Sequence, residues 1–345
     1  TRKGMRLIIG GDFNTVFKLD RRGELLDQLL EAFNLKIVND PEGLSFENRW
    51  THTGSSGIQR QIDFILASPP CQGMSLAGKH RKLSDMKDDK RNYLILEIIE
   101  FIKYTKCKFV LIENVPSLIK LELVVRKKQL TLQEILSNNL GDAYDIFTDI
   151  VDASDYGVPQ KRKRAFIRII RKNSGFIWEK PSKEKKISVK EAIGDLPSLE
   201  SGEKSSLDFH YARKHTSEHI ELMENTPSGC SAFNNKFHYP KKNGKKIKGF
   251  SSSYRRIKWD EPAPSITMRS DAISSQRNVH PGRKKKKNKY SDARVLTPRE
   301  IMILNSMPVP SNMNIKTNEL LIRRVVGESV PPLLIKKFLD GIKRQ

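Results

Sequence analysis

The fold of this chain is constrained most by two apolar, strand-like runs that flank a helix-like stretch. The runs are residues 61–67 and 108–112, and residues 92–104 between them have helix-like apolar spacing. Strand, helix and strand in this order form the unit of a parallel sheet. Further strand-like runs at residues 5–11, 144–152 and 165–171, the last two flanking a basic turn typical of a β-hairpin, predict an α/β fold.

Chemically versatile residues follow both central strands. The first run continues into Ser68-Pro69-Pro70-Cys71-Gln72-Gly73, and the second ends in Glu113-Asn114-Val115. The carboxyl ends of parallel strands face the same crevice, so we expect Cys71 and Glu113 to lie near each other. A thiolate can attack an electron-poor ring, and a carboxylic acid can share a proton with a ring nitrogen. The alternatives are an inert buried cysteine and a carboxylate that caps a turn.

A third polar element, Gln160-Lys161-Arg162-Lys163-Arg164, precedes the run at 165–171. Arg162 and Arg164 stand two apart, which predicts that they point the same way if they lie on a strand. A guanidinium fork can hold a base oxygen or a phosphate. The alternative is a solvated basic turn.

The charge balance favours a polyanionic partner. The chain has 63 Lys and Arg against 40 Asp and Glu, a formal charge of +23. It has no run of eighteen apolar residues, which predicts a soluble, intracellular protein without a membrane segment. Three widely spaced cysteines argue against a disulfide framework.

Residues 172–292 are polar and weakly periodic, which predicts a small irregular domain. Their basic run 283–289 is either a solvated loop or a DNA-phosphate contact. His210, His215, His219 and Cys230 lack the spacing of a metal site, so we predict no metal and a polar loop role for them. Beyond Pro298 a helix is expected, and then two short helices that flank a turn at residues 327–332.

Four elements in one order resemble the cytosine-C5 DNA methyltransferase family: the prolylcysteine turn, Glu113-Asn114-Val115, the Gln160–Arg164 element and Gly327-Glu328-Ser329-Val330-Pro331-Pro332. Segments 192–197 and 259–267 also resemble the family, so the resemblance spans about residues 60–345. It implies a Rossmann-like methyltransferase sheet with a small irregular target-recognition domain. It also implies methyl transfer from S-adenosylmethionine to C5 of cytosine in double-stranded DNA, with the target base flipped out of the duplex.

The resemblance assigns residue roles. Cys71 is the nucleophile that forms a covalent adduct, Glu113 is the acid, and Arg162 and Arg164 anchor the base. The residues implied to bind substrate are Pro70, Gln72 and Gln160, and those implied to bind cofactor are Pro69, Gly327, Glu328, Ser329 and Val330. Glu328 departs from the Asn of many family members. We expect a monomer, in the cytoplasm at the nucleoid if bacterial and in the nucleus if eukaryotic.

The first sixty residues do not show the family's Gly-rich cofactor turn. Residues 8–14 and 62–66 instead resemble the GDFN and IDF motifs of the endonuclease/exonuclease/phosphatase family, as in retrotransposon endonucleases. That resemblance implies metal and phosphate binding at Asp12 and Asn14, but the family's Ser-Asp-His motif is absent, which predicts an inactive nuclease.

Three readings of the N-terminal segment therefore stay open. Residues 6–13 could form a surrogate first strand, with Gly10-Gly11 as cofactor turn and Asp40 or Glu42 as ribose ligand. The chain could be an inactive truncated or fused methyltransferase, or a nuclease-related DNA-binding protein. The predicted domains are an endonuclease-like fragment or surrogate cofactor segment at 1–60, a catalytic domain at 61–171 and 293–345, and a target-recognition region at 172–292.

Overall fold

The chain divides into two compact units. The computed structural model describes residues 7–11, 64–69, 90–309 and 318–345. The first unit comprises Thr1–Val151, Lys163–Glu179 and Ile342–Gln345, and the second comprises Asp152–Arg162 and Lys180–Gly341. Several residues with predicted roles lie outside the described ranges: Pro70, Cys71, Gln72, Asp12, Asn14, Asp40 and Glu42.

A five-stranded sheet forms the centre of the first unit, in the order β1-β2-β3-β7-β6. Its strands are β1 (Leu7–Gly11), β2 (Phe64–Ser68), β3 (Phe109–Asn114), β6 (Tyr144–Asp152) and β7 (Lys163–Arg171). β1, β2 and β3 are parallel, and β7 is antiparallel to β3. Every residue of β3 is buried, as expected for a central strand. The predicted α/β class is confirmed.

Two helices of the first unit pack against this sheet. Helix α1 (Leu94–Thr105) buries Ile95, Ile99 and Ile102, whose spacing places them on one helical face. Helix α2 (Leu132–Leu140) begins at a capping box in which Thr131 and Glu134 satisfy each other's backbone N–H groups. Short two-stranded sheets complete the unit: β4 (Glu122–Val125) with β5 (Lys128–Thr131), and β8 (Phe176–Trp178) with β11 (Ile342–Arg344).

The second unit is mostly irregular, as predicted for residues 172–292. Its helices are α3 (Val189–Ile193), α4 (Ser217–Glu224), α5 (Pro298–Leu304), α6 (Glu319–Glu328) and α7 (Pro332–Asp340). Its one two-stranded ribbon among the described residues joins β9 (Lys241–Lys242) to β10 (Lys245–Lys246). One apolar cluster packs α3, α5 and α6 together through Ile193, Ile301 and Val326.

The compact units cut the chain differently from the predicted domains. Residues 293–341 belong to the same unit as residues 180–292, whereas the sequence predicts residues 293–345 in one domain with residues 61–171. The reason is that α5 and α6 share a core with α3. The functional division into catalytic and recognition parts stays a prediction. Among the described residues no helix is long and apolar enough to cross a membrane.

Candidate active site

Glu113 lies at the end of β3 and is almost completely buried, with 3% of its surface exposed. Its Oε1 is 2.9 Å from Nε of Arg164, at the start of β7. Its Oε2 accepts a hydrogen bond from Oγ of Ser68, the last residue of β2, at 2.7 Å. A buried carboxylate is tolerated only when it is paired and hydrogen-bonded, and two neighbouring strands provide both partners.

The ion pair is partly exposed, mainly at Arg164. Glu113 keeps 4% of its side-chain surface exposed and Arg164 keeps 17%. Since one carboxylate oxygen is held by Ser68 and the other by Nε of Arg164, the carboxylate is fixed in orientation. The rest of the Arg164 guanidinium still reaches the surface, although one of its terminal nitrogens donates to the carbonyl of Lys163. The arrangement can present a carboxylate and a guanidinium together to a polar ligand.

Asn114 bonds to Pro69, the residue that follows β2. Its Nδ2 donates to the carbonyl oxygen of Pro69 at 2.8 Å, and its Oδ1 accepts from the backbone N–H of Val115 at 2.8 Å. Ala67 of β2 pairs with Ile112 of β3, so the two strand ends leave the sheet side by side. Sequence reasoning assigned no role to Ser68 or Asn114. Their roles follow from the parallel register of β2 and β3, which brings the ends of the two strands together.

Arg162 and Arg164 have different partners. Arg162 precedes β7, lies in the second unit and is 2% exposed. Its guanidinium donates to the carbonyl oxygens of Ile266 at 3.1 Å and Gly327 at 2.9 Å. The expectation that both arginines sit on one strand is wrong, because the strand begins at Lys163. The base-anchoring role of Arg162 stays a prediction to which these contacts lend no support.

Gln160 is fully buried in the second unit. Its Nε2 donates to Oδ1 of Asn305 at 2.8 Å, and its Oε1 accepts from the backbone N–H of Ile266 at 3.0 Å. Both ends of the amide are therefore bonded to protein groups. Gln160 and Arg162 together tie residues 160–162 to the chain around Ile266, which lies in the family-like segment 259–267.

The predicted turn at residues 327–332 is shorter than expected. Gly327 and Glu328 complete the last turn of α6, and Ser329 caps it. A Cβ on Gly327 would lie 2.4 Å from the backbone nitrogen of Met268, so only glycine permits this contact. Ser329 Oγ accepts from Nδ2 of Asn305 at 2.7 Å. Glu328 is exposed and Val330 is half-buried, so the side chain of Glu328 is open to solvent.

The histidines of the second unit have individual protein partners. His210 bonds to Thr297 and to the carbonyl of Pro197, and Nε2 of His215 accepts from the backbone N–H of Val295. His219 contacts the ring of Tyr254 edge-on. Burial lowers the pKa of His215 to about 4. Within the described residues no group of three potential ligands is arranged to hold a metal.

The chain belongs to the C-5 cytosine-specific DNA methylase family. The family model matches residues 37–344, most of the chain, and its match includes the Glu113 corner just described. The predicted resemblance to cytosine-C5 DNA methyltransferases is thereby confirmed. The resemblance of residues 5–66 to endonucleases stays a prediction, and the methylase match overlaps its second half.

Two type II methyltransferases are among its relatives. The chain is 55% identical over 286 residues to M1.HgaI of Avibacterium volantium, covering 83% of this chain and 80% of the relative. It is 30% identical over 307 residues to M1.HphI of Haemophilus parahaemolyticus, covering 89% of this chain and 74% of the relative.

Two solved structures share the fold at low sequence identity. The Entamoeba histolytica methyltransferase EhMeth has a TM-score of 0.56 at 14% identity, covering 98% of this chain and 97% of its own. Spodoptera frugiperda DNMT2 has a TM-score of 0.54 at 17% identity, covering 96% of this chain and 91% of its own. These matches support the α/β methyltransferase fold alone.

Enzymes of this family use S-adenosylmethionine, and the described backbone offers a place for it. β1 runs parallel to β2, with Gly10 opposite Ala67 and Gly11 opposite Ser68. The β1 end thus lies at the same sheet edge as Pro69 and Glu113, where α/β sheets bind their ligands. Gly10 and Gly11 are the last two residues of β1. Gly327, one of the residues predicted to bind the cofactor, is packed against the backbone of Met268.

Proposed function

We propose that this chain transfers a methyl group from S-adenosylmethionine to C5 of cytosine in double-stranded DNA, through a covalent adduct at Cys71. The observation that supports this most directly is the buried Glu113 carboxylate, which is held by Arg164 and by Ser68, three residues before Cys71 in the sequence. Cys71 itself lies outside the described residues. It follows Pro69 by two residues, and two extended residues span at most about 7 Å.

Cys71 makes the cytosine ring reactive. Carbon 5 of cytosine is a poor nucleophile, and a thiolate that bonds to carbon 6 converts the ring into an enamine with electron density on carbon 5. S-adenosylmethionine supplies the methyl group when it is bound. Transfer of the carbon 5 proton to solvent water then forms the carbon 5–carbon 6 double bond and breaks the bond to sulfur, which releases Cys71 as the thiolate. The chain therefore needs a thiolate and a proton-sharing group on one base.

Glu113 is the proton-sharing group in this proposal. Addition at carbon 6 pushes electrons toward ring nitrogen N3, and a carboxyl group at that edge stabilises the developing charge. Ser68 and Arg164 hold the carboxylate in place before the base arrives, which lowers the cost of reorganisation during the reaction. Arg164 also has the exposure needed to hold the base oxygen.

Gln160 and Arg162 are positioning residues in our proposal, a narrower role than the sequence predicted. Their polar groups bond to Ile266, Asn305 and Gly327. Gly327 and Ser329 belong to the same bonded set, through the carbonyl of Gly327 and the Ser329–Asn305 contact. We propose that this set fixes the segment around Ile266 rather than touching the base. Pro69, Glu328 and Val330 stay proposed cofactor neighbours.

Duplex DNA is the proposed partner, and the +23 charge favours it. Carbon 5 is unreachable inside a duplex, so the base must be flipped out at a cost of a few kcal/mol. The relatives named type II methyltransferases support a role in restriction and modification. We propose that one chain acts alone, with residues 172–292 reading the target.

The deciding experiment is transfer of labelled methyl from S-adenosylmethionine to mixed-sequence duplex DNA by the full chain. We expect transfer that Cys71→Ser abolishes and Cys230→Ser leaves intact, since Cys230 is an exposed thiol far from the sheet in sequence. Transfer that survives Cys71→Ser contradicts the covalent mechanism. No transfer from a folded chain supports instead the inactive truncated or fused methyltransferase.

β1 favours one account of the N-terminal segment. Its parallel pairing with β2 extends the methyltransferase sheet, which supports a surrogate first strand with Gly10-Gly11 at its end. The nuclease account instead requires metal at Asp12 and Asn14. Metal-dependent nicking of plasmid DNA that Asp12→Ala abolishes supports the nuclease account. The surrogate-strand account predicts two results. Nicking is absent, and changing both Gly10 and Gly11 to Val abolishes cofactor binding.

A further inference from the structure

A lysine-rich ribbon stands out in the second unit. We call residues 241–246 the lysine hairpin: β9 and β10 joined by Asn243-Gly244, whose φ angles are 52° and 74°. An Asn-Gly pair with both φ angles positive is the turn that matches the twist of a two-residue hairpin. The turn therefore fixes the pairing of β9 with β10 and, with it, the backbone positions of the four lysines.

The lysine hairpin places like charges directly opposite each other. Lys241 pairs across the ribbon with Lys246, and Lys242 pairs with Lys245. Like charges in directly opposed positions destabilise a β-ribbon. The segment 236–248 contains six lysines and no acidic residue to offset this repulsion. A bound polyanion would relieve it.

Other basic segments of the second unit have acidic partners for part of their charge. Lys183 and Lys186 pair with Asp155, and Lys185 pairs with Glu191. In the run 283–289, which the sequence marked as a candidate phosphate contact, Arg283, Lys285 and Lys289 pair with acids as well. Among the ion pairs between described residues, none involves a lysine of the hairpin. The acidic side chain bonded to this region is that of Glu221, and its partner is Nδ1 of His238.

Aromatic side chains flank the hairpin. The Tyr239 ring lies beneath two of the lysines, with Lys241 Nζ 5.0 Å and Lys246 Nζ 4.8 Å from its centroid. These cation–π contacts order the two lysines while the hairpin remains exposed to solvent. Phe237 is 79% exposed, and its backbone N–H is held by Oδ1 of Asn235 at 2.9 Å. Exposed aromatics between cations are typical of nucleic-acid surfaces.

We propose that the lysine hairpin binds duplex DNA, with its four lysines on backbone phosphates and Phe237 against a sugar or base. This inference rests on the proposed function for the identity of the polyanion. A two-stranded ribbon is of a size that the DNA major groove admits. The tip of the ribbon is a two-residue turn, and none of the four lysines forms an ion pair with a described acidic residue, so each keeps its charge for a phosphate.

The test compares two variants of equal net charge in the full chain. The hairpin variant changes Lys241, Lys242, Lys245 and Lys246 to Ala, and the control changes four lysines with acidic partners, Lys183, Lys185, Lys186 and Lys285, to Ala. Binding to labelled duplex DNA is measured by fluorescence anisotropy over a salt series. Each phosphate contact contributes about 0.9 to the slope of log K against log salt concentration.

For the hairpin variant, we expect the slope of log K against log salt concentration to be smaller in magnitude by roughly 2 to 4. Its affinity for DNA at physiological salt should be lower by roughly tenfold or more. For the control variant, the magnitude of this slope should decrease by less than about 1. Equal losses in the two variants would show a general charge effect and overturn the proposal, as would an unchanged slope in the hairpin variant. Phe237→Ala should weaken binding at unchanged slope, since an apolar contact releases no counterions.

Two readouts separate this inference from the proposed function. Binding is measured without S-adenosylmethionine, so a chain that transfers no methyl group still tests the hairpin. If transfer is observed, the hairpin variant should raise the KM for DNA and leave kcat within about twofold of the unsubstituted chain. A variant with normal DNA affinity and a low kcat contradicts a binding role.

Discussion

Arg164 and Glu113 form an ion pair of 2.9 Å between the start of β7 and the end of β3, and Ser68 occupies the other carboxylate oxygen. Three strands thus converge on one buried carboxylate. Because both oxygens are already held, the orientation of the carboxylate is fixed before any ligand arrives.

Glu113→Gln should lower single-turnover methyl transfer by roughly 10²- to 10⁴-fold, because the amide keeps the shape but cannot share a proton with the base. Glu97→Gln on α1 is the control, as Glu97 is exposed in the same unit. Equal rates for Glu113→Gln and the unsubstituted chain would remove Glu113 from the chemistry.

Arg164→Ala and Arg168→Ala should both cost stability but differ in activity. Both arginines lie on β7, and Arg168 pairs with Asp149 at 3.0 Å. Removing either guanidinium leaves a carboxylate without its main charge partner, a loss of about 3 kcal/mol for a buried pair. Urea titrations should show two similar losses, whereas kcat per folded molecule should fall only for Arg164→Ala. A similar kcat loss for Arg168→Ala would point to structural damage.

Asn114→Ala should lower kcat by roughly tenfold to a hundredfold, since it removes the tether from the Pro69 carbonyl and leaves that group without its partner. The affinity for DNA should stay within about threefold, because Asn114 is a positioning residue. Asn139→Ala, on exposed α2 surface, is the matched control. Weaker DNA binding at unchanged kcat would contradict the positioning role.

Gly327→Ala should destabilise the second unit by about 1–3 kcal/mol, because the added Cβ meets the backbone of Thr267 and Met268 at 2.4 Å. Arg324→Ala, exposed on the same helix, should change stability by less than about 0.5 kcal/mol. Thermal unfolding distinguishes the two. An unchanged Tm for Gly327→Ala would show that the α6 packing described here is wrong.

Stability should fall as the pH is lowered from about 6.5 toward 5, where histidines in the unfolded chain become protonated. Burial, with a further effect of nearby Arg294, lowers the pKa of His280 to about 3, and burial lowers that of His215 to about 4. In this window the unfolded chain binds protons that the folded chain excludes. The slope approaches about 1.4 kcal/mol per pH unit for each histidine.

A second loss of stability is expected at lower pH, and it comes from Glu300, which contacts Arg294 and His280. Burial alone would raise the pKa of Glu300, but Arg294 and His280 hold it at about 2. Its contribution is complete above about pH 4.5 and is lost as the pH falls toward 2.

The histidine effect is tested by two substitutions. His280→Gln and His215→Gln should each reduce the slope of the unfolding free energy against pH between pH 6.5 and 5, by the equivalent of up to one bound proton. Urea titrations at several pH values measure this, and an unchanged slope in both variants would exclude the histidines as its source.

Much of the fold was readable from local patterns. The strands before Pro69 and at Glu113, the helix between them and the helices after Pro298 all appear within a few residues of their predicted bounds. Apolar periodicity and caps such as Thr131–Glu134 act over a few neighbouring residues, which is why the sequence reveals them. Gly327 predicts a turn, but it lies in the last turn of α6, where it permits close contact with the backbone of Thr267 and Met268.

The sequence by itself determined the family, the order of its motifs and the residue types of the site, since these depend on which chemical groups stand at strand ends. Only the tertiary structure decided that Arg164, rather than Arg162, pairs with Glu113 and that Gln160 is buried against Ile266. Ser68 and Asn114 likewise gained roles only from the register of β2 beside β3. Such contacts join residues more than forty positions apart, so they follow from strand pairing and packing, which no local pattern encodes.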